Sequence, residues 1–202
     1  MFDLDSVNLI DSSGYACYRA GATLSWWKRS KPDDNRSTAE LLESEDFIIP
    51  LERQYKQGLS KLKGPLIFAR DCWIEKIWRL RHYSKYKSGR SDCGNSLRPM
   101  GPIVKWLHKM VERESLGKVV RVEEAEADDV IAVYVRYITD NYPSKNVVIV
   151  TLDSDLKQLV AWGDHVSIYN PKTKKFFSDK DEALSILETK IVKGDSTDKV
   201  PA

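Results

Sequence analysis

Carboxylates in this 202-residue chain recur at five places, each at the end of an apolar run or near the start of a helical pattern. Two carboxylates about 4 Å apart repel by roughly 4 kcal/mol, so a cluster must be protonated or hold hard divalent cations. Each motif alone also fits a helix N-terminus or an Asp-stabilised turn. Their recurrence favours a metal site. The candidate ligands are Asp11, Asp71, Glu126, Asp128, Asp129, Asp153, Asp155, Asp195 and Asp198.

Short apolar runs with helical patterns between them predict the elements that position these acids. Strands are predicted at 7–11, 66–69, 119–122, 146–151 and 166–169, and helices at 47–62, 103–111, 127–142, 156–160 and 180–190. This alternation is typical of an α/β domain with a central, mainly parallel sheet and flanking helices. Ligands of such sheets bind beyond the carboxyl ends of the strands, so we expect the acids to converge on one edge.

Composition permits this fold without indicating a partner. The chain can bury one core, and we expect a single domain over 1–202, with 28–46 as a surface loop or insertion. The net charge is only +2, so charge distribution carries the information. Three cysteines without a C-x-x-C pair favour neither a disulfide framework nor a zinc site. No apolar run approaches the length of a membrane span, and we expect a cytoplasmic protein of a bacterium or phage-infected cell.

A local surplus of positive charge stands out between residues 76 and 90. This segment has six cations, no acid, and aromatic residues between the cations. A solvated basic helix face is the simpler interpretation, but aromatic rings among cations favour a groove in which phosphates meet Lys and Arg while bases stack. An acidic metal pocket beside such a segment indicates phosphodiester chemistry with two divalent ions. The candidate DNA-binding residues are Lys76, Arg81, Tyr83, Lys85, Tyr86 and Arg90.

The order of these motifs resembles the 5′ nuclease superfamily, which includes phage RNase H-type and 5′–3′ exonucleases, the nuclease domain of bacterial DNA polymerase I, and flap endonucleases. The resemblance spans residues 7–201. Its motifs are Leu9-Ile10-Asp11-Ser12-Ser13, the stretch from Arg79-Leu80 through Tyr86-Lys87-Ser88-Gly89-Arg90, Glu126-Ala127-Asp128-Asp129, Asp153-Ser154-Asp155, and Gly194-Asp195-Ser196-Thr197-Asp198-Lys199-Val200-Pro201.

The resemblance implies a two-metal nuclease that uses Mg²⁺, for which Mn²⁺ would substitute. It assigns Asp11, Asp71, Glu126, Asp128 and Asp129 to one ion. It assigns Asp153, Asp155, Asp195 and Asp198 to the other. It places Lys87 and Arg79 at the scissile phosphate as catalytic residues, Tyr86 against a base, and a basic helical arch over 73–95.

The implied substrates are DNA flaps, nicked duplexes and 5′-ended duplexes, cut as 5′–3′ exonuclease or flap endonuclease, with RNA–DNA hybrids as a further class. DNA replication and repair are the implied processes, and a replication polymerase or single-strand-binding protein is an implied partner.

The chain departs from the family pattern at several positions. Ser154 replaces a glycine, Lys199 an asparagine and Ala202 a glycine, and Arg70 makes the approach to Asp71 less apolar. The resemblance also leads us to expect a helix–turn–helix after the last motif, so C-terminal DNA-binding helices would be missing. Two alternatives stay open: a PIN-like ribonuclease on the same sheet, and a DNA-binding module that has lost catalysis.

Overall fold

A six-stranded sheet organises the protein. The computed structural model describes residues 5–88, 100–194, 198 and 200. In spatial order β3-β2-β1-β4-β5-β6, the first five strands are parallel and β6 is antiparallel to β5. The predicted mainly parallel α/β sheet is therefore confirmed. The strands are β1 (Ser6–Asp11), β2 (Leu66–Arg70), β3 (Lys118–Arg121), β4 (Asn146–Val150), β5 (Val166–Asn170) and β6 (Lys175–Phe177).

Helices cover both faces of the sheet. The described α-helices are α1 (Ser12–Ser30), α2 (Thr38–Leu41), α3 (Glu45–Leu59), α4 (Arg79–His82), α5 (Gly101–Arg113), α6 (Ala127–Asn141) and α7 (Lys180–Lys193). Two 3₁₀ helices, Ile74–Lys76 and Asp155–Trp162, add to them. α3 shows why these segments are helical, because its buried Phe47, Leu51, Tyr55 and Leu59 are four residues apart and form one apolar stripe.

Two apolar cores lie on opposite faces of the sheet, and β1 feeds both. Successive residues of a strand point to opposite faces. Ile10 accordingly joins the core that contains residues of α1, α3 and α5. Leu9 joins the core that contains residues of α6 and of the 3₁₀ helix Asp155–Trp162. The result is three layers, with the sheet between two sets of helices.

The segment 28–46 needs correction, because it is not simply a surface loop. α1 continues to Ser30, and a capping box between Ser37 and Glu40 starts the short helix α2. Leu41 is buried. The Trp27 indole donates a 2.9 Å hydrogen bond to Asp34, which holds the polar stretch against the domain.

Two further segments need comment: one strand was not predicted, and part of the predicted arch lies outside the described residues. The strand β6 was not predicted. It has only three residues, none of them buried, and this is too short for a clear strand pattern in the sequence. Of the predicted arch over 73–95, residues 73–88 are described and form a 3₁₀ turn, α4 and further turns, while 89–95 lie outside the described residues. No helix in the described part of the chain is both long and apolar enough to cross a membrane.

Candidate active site

Four carboxylates meet at the carboxyl edge of the sheet. Asp11 ends β1, Asp71 directly follows β2, and Asp153 follows β4 by three residues. Register places Asp11 beside Ala69 of β2, so these strand ends are level. The fourth acid, Asp128, stands in the first turn of α6 and is close enough to the other three to interact electrostatically with each.

Asp11 is fixed by the start of α1 and by β4. It is the N-cap of α1 and accepts a 3.0 Å hydrogen bond from the Gly14 N–H. A Cβ at Gly14 would lie 2.3 Å from Asp11 Oδ2, so only glycine leaves room for this carboxylate. Thr151 donates a 3.2 Å hydrogen bond from Oγ1 to Asp11 Oδ2. Both carboxylate oxygens are therefore oriented by neighbours.

Thr151 is a site residue that sequence reasoning missed. It is buried, and its Oγ1 also accepts a 3.0 Å hydrogen bond from the Asp153 N–H. One hydroxyl thus connects the carboxylate after β1 to the loop after β4. Its position between the apolar strand and Asp153 was visible in the sequence, but threonine at a strand end carries no specific signal.

Asp71 links β2 to α6. Its Oδ1 accepts a 2.9 Å hydrogen bond from the N–H of Ala127, the first residue of α6. The next residue, Cys72, donates its N–H to the Ala125 carbonyl at 3.0 Å. Asp71 therefore sits beside the acidic start of α6.

Burial and the charges of neighbouring acids disfavour ionisation of Asp128, Asp11 and Asp153. Burial raises the pKa of Asp128 to about 7, and the nearby Asp11, Asp153 and Asp71 raise it further, while Lys87 works against them. Burial likewise raises the pKa of Asp11 to about 6, opposed by the Gly14 N–H. The pKa of Asp153 is raised as well, first by loss of hydration. A cation bound among these carboxylates would favour their charged forms, so the edge is chemically suited to a hard cation.

The other two acids of the α6 motif already have cationic partners. Arg79 forms two hydrogen bonds of 2.6 and 2.8 Å with the Asp129 carboxylate, and a third of 2.8 Å with Glu126. Lys87 Nζ bonds the other oxygen of Glu126. Burial alone would raise the pKa of Asp129, but the bonds from Arg79 and the Glu126 N–H lower it. Glu126 and Asp129 therefore differ from Asp11, Asp71, Asp128 and Asp153, for which no salt bridge is found within the described part of the chain.

Tyr86 is placed differently from the prediction that it stacks on a base. Its ring is only 9% exposed and packs with Cys72 and Ile77. Its hydroxyl lies 2.9 Å from Glu126 Oε2 and 3.1 Å from Asp198 Oδ2. The hydrogen bond to Glu126 was not foreseeable from local sequence. Burial and the Glu126 charge raise the pKa of this phenol.

The remaining predicted ligands are arranged less compactly. Asp155 pairs with Lys190 of α7 at 2.5 Å and donates its N–H to Asp153 Oδ1. Asp198 lies beside Tyr86, and its carbonyl accepts the Lys87 N–H at 3.2 Å. Asp195 lies outside the described residues. As placed, no three acidic, histidine or cysteine side chains in the described ranges are grouped tightly enough to hold a metal ion together.

The predicted DNA-binding residues divide into exposed and engaged groups. Lys76 and Lys85 are exposed. Arg81 pairs with Glu124, and Tyr83 packs against the cluster around Tyr86. Arg90 lies outside the described residues. Trp73, which was not among the predicted residues, is 64% exposed and has the Arg121 guanidinium 4.7 Å from its ring centre.

Comparisons with known proteins agree with this architecture. The chain is similar to the T5 5′-exonuclease with divalent zinc ions bound, with 18% identity, a TM-score of 0.59, and coverage of 96% of this chain and 68% of that one. It is also similar to a bacteriophage T5 flap endonuclease variant in a pseudo-enzyme-product complex with DNA and metal ions, with 15% identity, a TM-score of 0.63, and coverage of 98% and 69%. At these identities the likeness shows the fold.

No curated protein sequence matches the chain. The profile of one sequence family does, over residues 6–190, which include the four carboxylates of the sheet edge and the segment 76–88. Because the match covers most of the chain, it decides the family. The chain belongs to the family of 5′-3′ exonuclease N-terminal, resolvase-like domains.

Proposed function

We propose that the protein is a metal-dependent 5′ nuclease that hydrolyses phosphodiester bonds of DNA at flaps, nicks and 5′ ends. RNA in RNA–DNA hybrids is a further proposed substrate. One observation carries the proposal: in a chain of this family, Asp11, Asp71, Asp128 and Asp153 converge from four elements on one sheet edge, where burial and neighbouring carboxylates raise the pKa of Asp11 and Asp128. Support also comes from the T5 structures, one with zinc and another with DNA and metal ions.

The donor set fits a hard divalent cation. The four acids supply oxygen atoms only, which suits Mg²⁺ and its substitute Mn²⁺. The raised pKa values of Asp11 and Asp128 reflect a site in which added positive charge is favourable. We assign these four acids to one ion, which revises the assignment from the resemblance in two ways. Asp153 moves to the first ion because it lies near Asp128, and Glu126 and Asp129 are left out because Arg79 and Lys87 already bind them. Asp155, Asp195 and Asp198 stay assigned to a second ion. Bound divalent ions would supply an activated water and offset negative charge on the attacking and leaving oxygens.

Lys87 and Arg79 are the proposed contacts to the scissile phosphate. In the described conformation both cations are occupied by Glu126, and Arg79 also by Asp129. A phosphate at the edge must therefore compete with these carboxylates for the two cations. The phosphate gains negative charge in the transition state. A cationic side chain that contacts it therefore contributes more to catalysis than to ground-state binding.

Cleavage assays test the proposal. We expect Mg²⁺-dependent cleavage of 5′-labelled flaps and nicked duplexes. RNA–DNA hybrids are assayed as a third substrate and single-stranded RNA as a fourth. Asp153→Asn should abolish cleavage and largely retain DNA binding. Asp164→Asn is the matched control, because Asp164 is fully exposed and pairs only with Lys180 in the described part of the chain.

Each contrary outcome has a defined meaning. Cleavage confined to single-stranded RNA would favour a PIN-like ribonuclease. Mg²⁺-independent DNA binding without cleavage would favour an inactive binding module. Wild-type turnover by Asp153→Asn at saturating Mg²⁺ would contradict the assignment of the edge as the active site.

A further inference from the structure

A polar pocket, separate from the carboxylate edge, lies between α1, the end of α3 and the β5–β6 turn. Its volume is about 390 Å³, within the range of small-ligand sites. None of its lining residues belongs to the carboxylate edge or to the segment 76–90. The polar side chains that line it are those of Arg19, Gln54, Gln57, Ser60, Lys61 and Lys174.

The charge of this pocket has one sign. Three cations line it, and its lining contains no aspartate or glutamate. Within the described part of the chain, Arg19, Lys61 and Lys174 form no salt bridge, whereas Arg79, Arg81 and Lys87 all do. Three uncompensated cations around one concavity produce a positive potential that favours an anion.

Arg19 is held in place rather than free in solvent. Its Nε donates a 3.0 Å hydrogen bond to the Tyr15 hydroxyl, which donates to the Tyr55 carbonyl at 2.8 Å. The guanidinium also lies 5.2 Å from the Tyr15 ring centre and 5.0 Å from that of Tyr18. Because Tyr15 is fully buried, the cation is anchored to the core. A preorganised guanidinium loses little entropy when it binds an anion.

Two backbone features help to place cations at this pocket. Gly58 is the last residue but one of α3. A Cβ at Gly58 would lie 1.8 Å from Arg19 Nη2, so the glycine admits the guanidinium. Lys174 has a φ of 58°, a left-handed conformation that side chains other than glycine rarely adopt. Strain retained at a site is a reason to test that site for function.

The turn that carries Lys174 is well defined. Asn170 Oδ1 accepts the N–H groups of Lys172 and Thr173 at 2.9 and 3.0 Å, and the Lys174 N–H donates to the Asn170 carbonyl at 2.8 Å. Lys174 is therefore positioned by three hydrogen bonds of its own turn.

The pocket also has a neutral hydrogen-bond donor. The Oε1 atom of Gln54 accepts a hydrogen bond from Thr23, which leaves the NH₂ group of the amide to donate.

We propose that this pocket binds a phosphate group. A planar guanidinium, two ammonium groups and an amide donor suit a compact anion with several oxygens. The phosphate could come from the backbone of a bound nucleic acid or from a free phosphate such as inorganic phosphate. The inference does not rest on the proposed nuclease activity, because phosphate binding here needs neither the carboxylate edge nor turnover.

The test compares charge reversals in the full chain with divalent metal chelated. Lys174→Glu and Lys61→Glu change lining residues. Lys172→Glu is the matched control, because it makes the same charge change in the same turn and does not line the pocket. Thermal unfolding checks that all three variants fold. Inorganic phosphate is titrated by NMR, and nicked-duplex affinity is measured by anisotropy over a series of salt concentrations.

The two phosphate sources give different results. For a backbone phosphate, Lys174→Glu and Lys61→Glu should each reduce the salt slope by about one and weaken duplex binding about tenfold at 0.1 M salt, beyond the control. For a free phosphate, both should lose inorganic phosphate binding while duplex affinity stays at the level of the control. Lining variants that match Lys172→Glu in both measurements would overturn the proposal, whether or not the protein cleaves DNA.

Discussion

Arg79 grips Asp129 with two parallel hydrogen bonds of 2.6 and 2.8 Å, although the residues are 50 positions apart in the chain. This bidentate pair ties the segment 76–88 to the start of α6. The Asp129 carboxylate also accepts the Glu126 N–H at 3.0 Å, so it closes the first turn of the helix as well. The segment expected to bind DNA is thus attached directly to the acidic motif.

Asp129→Asn should destabilise the protein by about 1–3 kcal/mol, because Arg79 loses a partly buried, charge-assisted partner. The free energy of unfolding from chemical denaturation measures this. Asp140→Asn, on the same helix, is the control: the Arg136–Asp140 pair is exposed, so its loss should cost about 0.5 kcal/mol or less. Equal effects of the two variants would show that the Arg79–Asp129 pair adds nothing beyond an exposed pair.

Stability without divalent metal should fall as pH rises from about 4 to about 7. Asp11 and Asp128 have pKa values raised to about 6 and about 7, so the folded state holds protons that the unfolded state releases near pH 4. Their contribution is fully present below the unfolded pKa and is lost as pH rises through the folded values. One pKa unit corresponds to about 1.4 kcal/mol.

The variant Asp128→Asn checks this pH dependence. It removes one of the two groups, so its metal-free unfolding temperature should fall less steeply than that of the wild type between about pH 4 and pH 7, the range between the unfolded and the folded pKa values. Addition of Mg²⁺ should stabilise the wild type at the upper end of this range. A variant with the wild-type slope would mean that Asp128 does not contribute to this pH dependence.

Thr151→Val should weaken divalent-metal binding about 10–100-fold, because it removes the hydroxyl that orients Asp11 and the Asp153 loop without a large change in shape. Mn²⁺ titration by calorimetry measures the affinity. Thr23→Val is the matched control: Thr23 is also fully buried and its hydroxyl bonds Gln54, so this variant should lose stability and keep metal affinity. Unchanged Mn²⁺ affinity in Thr151→Val would remove Thr151 from the site.

Lys87→Ala should lower kcat far more than DNA affinity, because we propose that Lys87 meets charge that develops in the transition state. Arg81→Ala, at an exposed position, should weaken binding evenly and reduce the salt slope by about one. Single-turnover rates and anisotropy separate the two effects. If both variants change kcat and affinity in the same proportion, Lys87 is not at the reacting phosphate.

The sequence predicted the parallel sheet and the placement of its acids because both depend on local patterns. Apolar runs of strand length preceded Asp11, Asp71 and Asp153, and parallel topology then brought those strand ends together. The start of α6 could also be predicted, because its acidic residues precede an apolar helical stripe.

The sequence could not predict which side chains form hydrogen bonds with each other within the site, because these bonds join segments that are far apart in the chain. Tyr86 shows this, since an aromatic ring among cations favours a stacking role until its hydroxyl is found beside Glu126. Thr151 acts through two hydrogen bonds that no local pattern signals. The strand β6 forms because the turn after β5 returns the chain, and its own residues show no strand pattern.

The hydrogen bond from Ala127 to Asp71 has a mechanical consequence. It joins the residue that follows β2 to the first residue of α6, so the positions of Asp71 and Asp128 are coupled although the two residues are far apart in sequence. The segment 76–88 is joined to the same helix start by the side-chain bonds of Arg79 to Glu126 and Asp129. The two attachments use different atoms, so the bonds of Arg79 can be exchanged without breaking the bond between Ala127 and Asp71.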